Sequence, residues 1–261
     1  MSETKTFEEL FLSQSVEENL KINHLKLLVI NNINSNNLYL FKLKEWQINH
    51  NIYFDYLFFL GNFLSFSEKD KTSIKEIAND EAQTGGILSY LENLCLKIVY
   101  IGGNNDIGTL FKKPYPSLTV KSINIHNDFL KLAEDLYVIG YGGNINEYNK
   151  YQLEDTFDSL HKYIEENDKI KNIQTILLNN DYYNENKSIK LIYEKIIKNE
   201  KNNIFFNLNG CTEEKQGTYK LFDINIINPG SINDGNLVIL DLERDIKNNS
   251  WKIQNVEYLI I

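Results

Sequence analysis

Three short apolar runs, at residues 25–30, 53–60 and 97–101, each end in a loop of asparagine or glycine and are separated by longer stretches with helical spacing. Over 38–47, Leu40, Leu43 and Trp46 recur at helical intervals. Ile74, Ile77, Leu88, Leu91 and Leu94 then mark one or two helices interrupted at Gly85-Gly86. A strand–helix–strand–helix–strand order pairs its strands in parallel through right-handed crossovers, which holds the first hundred residues to an α/β fold.

The pattern then changes. Residues 129–132 and 136–140 are short β runs joined at Glu134-Asp135, a hairpin signal; 151–167 reads as a helix, 175–178 as a strand and 189–199 as a helix. The remainder reads mostly as strands, at 204–208, 219–222, 224–228, 237–242 and 251–258. A parallel first half and an antiparallel second half predict two mixed β-sheets packed face to face and flanked by helices. With 261 residues, 42% of them hydrophobic, and only 3 Pro, the chain has the material for one domain and little for long linkers. That domain is placed at 23–261. Residues 1–22 form a helical extension opened by a capping box, Thr6 with Glu9, and repeated at Ser15 with Glu18. Its apolar residues Phe7, Leu10, Phe11 and Leu12 suit either a contact with partners or a lid on the chain's own sheet.

A net charge of -9 repels phosphate backbones and anionic surfaces, so nucleic acid and membrane are not expected partners. Cys95 and Cys211 are too few for a disulfide framework, and no apolar run approaches the ~20 residues that span a bilayer. The N-terminal residues lack a signal-peptide core, and a cytoplasmic location is the expectation. Abundant Asn, Lys, Ile and Tyr with scarce Ala, Pro and Arg is the bias of AT-rich coding, in which Asp and His codons lie one nucleotide from Asn.

In parallel α/β sheets ligands gather in the loops beyond the carboxyl ends of strands. Those loops read Asn31-Asn32-Ile33-Asn34-Ser35-Asn36, Gly61-Asn62, Gly103-Asn104-Asn105-Asp106, Leu178-Asn179-Asn180 and Asn209-Gly210-Cys211-Thr212-Glu213, followed by Asn228-Pro229-Gly230-Ser231. One Asn-rich loop alone is ordinary turn chemistry. In order and spacing, however, the set resembles the calcineurin-like metallophosphoesterase superfamily, particularly its small single-domain branch, over about residues 25–261. The first loop resembles Asp-x-His-Gly-Asn, Gly61-Asn62 resembles Gly-Asp, and Gly103 to Asp106 resembles Gly-Asn-His-Asp. Asn209 to Glu213 resembles the Gly-His-x-His segment, and the Asn-Pro-Gly-Ser turn matches outright. Asn124-Ile125-His126, taken with residues 136–143, resembles that branch's hairpin.

The resemblance implies the αββα sandwich and a phosphoesterase site built on two divalent metals, with a bridging carboxylate between them. Two dications ~4 Å apart repel by roughly 17 kcal/mol even at an effective dielectric of ~20, so anionic ligands are needed to hold them. The implied first-metal positions are Asn32, Asn34, Asn62 and Glu213, and the second-metal positions Asn62, Asn104, Asn180 and Cys211. Only Asn104 keeps the family's residue, and Asn62, at the bridge, is neutral. Asn105 replaces a catalytic His and has no titratable proton. The expectation is no catalytic residue, no cofactor and no tightly held metal. A remodelled single-metal site of Cys211, Glu213, Asp106 and Asp181 stays open, and His24, His50, His126 and His161 are read as surface or packing residues.

Three functions follow. The leading one is a catalytically inactive protein serving as a structural or interaction subunit of a larger assembly, with other protein subunits as partners. Its expected setting is the cytoplasm, on the cytoskeleton or a ciliary axoneme. The second is a residual metal-dependent phosphoesterase acting on a phosphate ester or nucleotide. The third is a metal-free sensor whose Gly103 and Gly210 loops hold a phosphate on backbone N–H groups.

Overall fold

The computed structural model describes residues 22–66, 73–143, 150–167, 172–180, 194–211 and 215–261. The helical extension, apart from Ile22, lies outside them. Strands β1 (His24–Ile30), β2 (Phe54–Phe59), β3 (Cys95–Tyr100) and β4 (Ser122–Asn124) pair in parallel, in that order. Helices α1 (Leu38–His50) and α2 (Ile74–Leu91) form the crossovers. The second sheet holds β5 (Asp128–Ala133), β6 (Leu136–Tyr141), β7 (Gln174–Asn179), β8 (Ile204–Asn209), β9 (Gly217–Leu221) and β10 (Ile224–Asn228), in the order β5-β6-β7-β8-β10-β9. Helix α3 (Lys150–Asn167) joins β6 to β7. The chain then returns to the first sheet with β11 (Asn236–Asp245) beside β1 and β12 (Ser250–Ile260) at the edge.

Three apolar layers hold these elements. Leu27 and Val29 of β1, Phe58, Val99, Val138, Ile176, Phe206 and Leu240 meet between the sheets. The alternate residues Leu28 and Ile30, with Leu57, Phe59 and Ile98, pack under Leu40 and Leu43 of α1 and Leu88 and Leu91 of α2. On the other side, Tyr137, Ile139 and Leu177 meet Leu153, Phe157 and Leu160 of α3. Central strands buried on both faces read as unbroken apolar runs, which is why they stood out in the sequence.

The two-sheet sandwich is as expected, but three details differ. The second half is only partly antiparallel: β11 and β12 pair antiparallel, as do β5–β6 and β9–β10, but β6, β7, β8 and β10 are parallel neighbours. Strand composition carries no direction; the crossovers set it. Helix α2 runs unbroken through Gly85-Gly86, held by buried Thr84, Ile87, Leu88 and Leu91. The hairpin read from Asn124-Ile125-His126 with residues 136–143 is present as β5–β6, but its first segment changes sheet, since Asn124 ends β4 beside Tyr100 while His126 bridges to Gly140. Of the helix read at 189–199, residues 194–198 are helical and 199–203 form one tight turn.

At the amino ends of the strands a charged clamp joins the sheets. Asp135, 1% exposed, accepts from Trp251 Nε1 at 2.8 Å and from Arg244 Nε at 2.9 Å, and Arg244 Nη2 reaches Asn249 Oδ1 at 2.9 Å. Arg244 is the chain's only arginine, in a composition that otherwise uses lysine. The planar guanidinium serves Asp135 and Asn249 together, which an ammonium on a flexible stem does poorly. Arg244→Lys is expected to lower stability by about 1–3 kcal/mol in urea denaturation, because the ammonium keeps the charge but cannot hold Asp135 and Asn249 together. Gly86→Ala should raise it by up to ~1 kcal/mol, since the position is helical and nothing lies within 4 Å of the added methyl.

Candidate functional site

The carboxyl ends of β1, β2, β3, β7 and β8 converge on one edge of the sandwich. Asn180 Nδ2 donates to Leu60 O at 2.8 Å, and Asn31 Nδ2 donates to Gly210 O, so the loops of the two sheets touch directly. A Cβ on Gly210 would stand 2.7 Å from that of Leu60. Within the first sheet the approach is closer still: a Cβ on Gly61 would lie 2.4 Å from Gly103 N, and one on Gly103 would lie 2.2 Å from Asn62 N. Gly61 also holds φ at 100°, so the pair admits no side chain.

Asp106 organises this junction. Its Oδ2 accepts from Gly103 N at 2.7 Å and Asn62 N at 2.8 Å, and its Oδ1 accepts from Leu64 N at 3.1 Å. The side chain is fully buried, and burial pushes its pKa from 3.8 up to about 6, with the N–H bonds pulling the other way. The sequence reading treated Asp106 only as a candidate ligand. Its place three residues after Gly103, where a carboxylate can turn back onto the glycine N–H, was the available signal.

The asparagines fill the space around that clamp. Asn32, Asn34 and Asn62 have φ of 66°, 50° and 61°, the left-handed region in which Asn is among the few tolerated side chains. Asn32 N donates to Gly61 O and Asn34 N to Asn62 O, both at 3.0 Å. Asn32 Nδ2 donates to Ser231 Oγ at 3.0 Å, which ties the first loop to the Asn-Pro-Gly-Ser turn. Asn62 Oδ1 accepts from Asn105 N at 3.1 Å. Asn228 Nδ2 donates to Cys211 O at 2.7 Å while its Oδ1 accepts from Gly230 N at 2.8 Å. Asn32, Asn34, Asn62, Asn105, Asn180 and Cys211 are thus brought together, with Asn104 in the same loop as Asn105. Glu213 and Asp181 lie outside the described residues.

A pair of divalent metals does not fit what is described here. The donors are neutral amides and one buried thiol, and among the described residues no three His, Cys, Asp or Glu side chains cluster. The one carboxylate that the described residues place at the junction, Asp106, already accepts from three N–H groups, and the Asn62 oxygen already serves Asn105. In the two glycine loops, Gly103 N is bound to Asp106, Gly210 N to Asn179 O at 2.8 Å and Cys211 N to Asn209 Oδ1 at 2.9 Å, so these three N–H groups are already engaged; residues 212–214 of the second loop lie outside the described residues. His126 is a packing residue, 4% exposed, with Nδ1 accepting from Gly142 N at 2.9 Å and its ring against Phe111 and Tyr141. His24 and His50 are exposed, as expected.

No family model and no curated protein matches the chain. Solved structures do. One crystal structure superposes with a TM-score of 0.57 at 18% identity, covering 89% of this chain and 99% of its own. That of TT1561 from Thermus thermophilus gives a TM-score of 0.54 at 16% identity, covering 88% and 98%. Vps29 from Chaetomium thermophilum aligns over 90% of this chain and 97% of its own, at a TM-score of 0.38 and 14% identity. The likeness is one of fold: the chain has the two-sheet α/β sandwich of the calcineurin-like metallophosphoesterases.

Asp106→Ala would leave three buried N–H groups without an acceptor and is expected to lower stability by about 3–5 kcal/mol in urea denaturation. The folded-state pKa of Asp106 is raised, so its proton stabilises the fold fully below pH 3.8, and this stabilisation is lost as pH rises through about 6. The margin of the unaltered protein over Asp106→Asn should therefore shrink across that window and stay flat above it, as read from denaturation midpoints at successive pH values.

Proposed function

We propose that this chain is a catalytically inactive protein with the metallophosphoesterase fold, serving as a structural or interaction subunit of a larger protein assembly. Asn62 carries the reading. It stands at the contact of Gly61 with Gly103, where the resemblance places the carboxylate that would bridge two metals, and its oxygen accepts a backbone N–H instead. A neutral amide so engaged offers nothing to offset the repulsion of two dications.

The frame around it persists. Gly61, Gly103 and Gly210 occupy positions that no side chain could enter, and the Asn-Pro-Gly-Ser turn still closes on the first loop. Retained shape with substituted ligands supports a protein selected for its surface rather than for turnover. No helix among the described residues is long and apolar enough to cross a membrane. A cytoplasmic assembly on the cytoskeleton or a ciliary axoneme is the setting we infer.

The test is metal content and hydrolysis by the purified full chain, dialysed after exposure to manganese and zinc, with bis(p-nitrophenyl) phosphate as substrate. Substoichiometric metal and turnover no faster than buffer are expected. Stoichiometric metal together with turnover that a chelator abolishes would replace this reading with the residual phosphoesterase.

A further inference from the structure

Strand β12 is the outermost strand of the first sheet, and among the described residues nothing pairs with its far edge. Eleven residues long and rich in aromatic and β-branched side chains, it is the kind of edge that recruits another strand unless blocked. At its start it is blocked: Gln174 accepts from Trp251 N and donates to Trp251 O. At the chain's last residue, Ile261 N donates inward to Gly235 O. Counting from both ends across the one-residue bulge at Gln254, the N–H and C=O groups of Ile253, Val256, Tyr258 and Ile260 point to the open edge.

The bulge also sorts the side chains. Trp251, Ile253, Val256 and Tyr258 pack toward the space between the sheets, whereas Leu259 packs toward the helix side, the face that Lys252 and Glu257 share by alternation. Lys252 lies two residues before the bulge and Glu257 two residues after Asn255. Edge charges of one sign repel a second copy; this couple is symmetric about the centre of the strand and opposite in sign.

We propose that β12 pairs antiparallel with β12 of a second copy, about a two-fold axis between Gln254 and Asn255. In that register each Lys252 faces the second copy's Glu257 on one side of the joined sheet, and each Ile253 faces Val256 on the other. The bulges lie opposite each other, so side-chain alternation matches from Lys252 to Glu257, and the pairing stops at Trp251, whose edge Gln174 already occupies. Like-facing, opposite-charge pairs directly across strands stabilise a ladder, and the self-complementary patch is what a two-fold contact requires. The proposal goes beyond the function proposed above and stands whether or not the strand-end loops carry chemistry.

The experiment is sedimentation equilibrium of the full chain over a range of concentrations. A mass rising from 30.5 kDa toward twice that value is expected. Lys252→Glu and Glu257→Lys should each remain monomeric alone, yet an equimolar mixture of the two should dimerise, because both inter-copy pairs are again of opposite sign, one as in the unaltered protein and one with its signs exchanged. Lys252 also binds Asp245 at 2.6 Å within its own chain, so Val256→Pro serves as a second variant that leaves both charges in place, removes an edge-facing N–H and should be a folded monomer. Wild-type protein that stays monomeric throughout overturns the proposal, as does a dimer that persists in both single reversals and in Val256→Pro.

Discussion

The junction of the loops after β2 and β3 is the constraint on which the rest of this end of the molecule depends. Two adjacent parallel strands deliver their loops to the same place, and the backbones at Gly61 and Gly103 come within contact where no side chain fits. Amide N–H groups buried there need acceptors, and water has little room. Asp106 supplies them from within the third loop, binding Gly103, Asn62 and Leu64. Its raised pKa is the mark of what that placement demands: a carboxylate kept from water because three backbone donors have no other acceptor.

Around this clamp, amides do what carboxylates and imidazoles could not do alone. A cluster of carboxylates at these strand ends would repel itself without cations between its members. An amide carries donor and acceptor on one group, so neighbouring amides and backbone groups can satisfy one another without a counterion. Asn228 does this in a single residue, donating to Cys211 O and accepting from Gly230 N. Asn32 and Asn62 add a backbone reason, since each holds a left-handed φ that few other side chains tolerate. Codon bias makes asparagine easy to reach; geometry makes it serviceable once reached.

Much of this was legible in the sequence because burial on both faces leaves an unmistakable trace. Residues 25–30 and 53–60 announced β1 and β2 as continuous apolar runs, and the glycine positions marked where strands end. Strand direction in the second sheet left no such trace. Residues 224–228 look the same whether β10 runs with or against β8, and only the return through β9 decides it. The three residues of β4 are too short to show periodicity. Gly85-Gly86 resembled a break because local propensity was weighed without Ile87, Leu88 and Leu91, whose burial carries the helix through. At the site, residue identities showed which loops to compare, but the part played by Asp106 depends on distances between loops and could not be read along the chain.

The sandwich is thus closed at both ends by different means. At the carboxyl ends of the strands the closure, among the described residues, is built from amides, glycines and one shielded carboxylate. At the amino ends it is ionic: Arg244 and Trp251, from two strands of the first sheet, converge on Asp135 between β5 and β6 of the second. Tyr258, farther along β12, meets Thr218 of β9. Strand β12 is therefore pinned to the opposite sheet near both of its ends, while Ile253 to Tyr258 between them keep an edge turned to solvent. A strand fixed at its ends cannot fray, and an ordered edge loses less conformational entropy on pairing than a mobile one. The same contacts that hold the two sheets together also preorganise the one long strand edge that the described fold leaves unpaired.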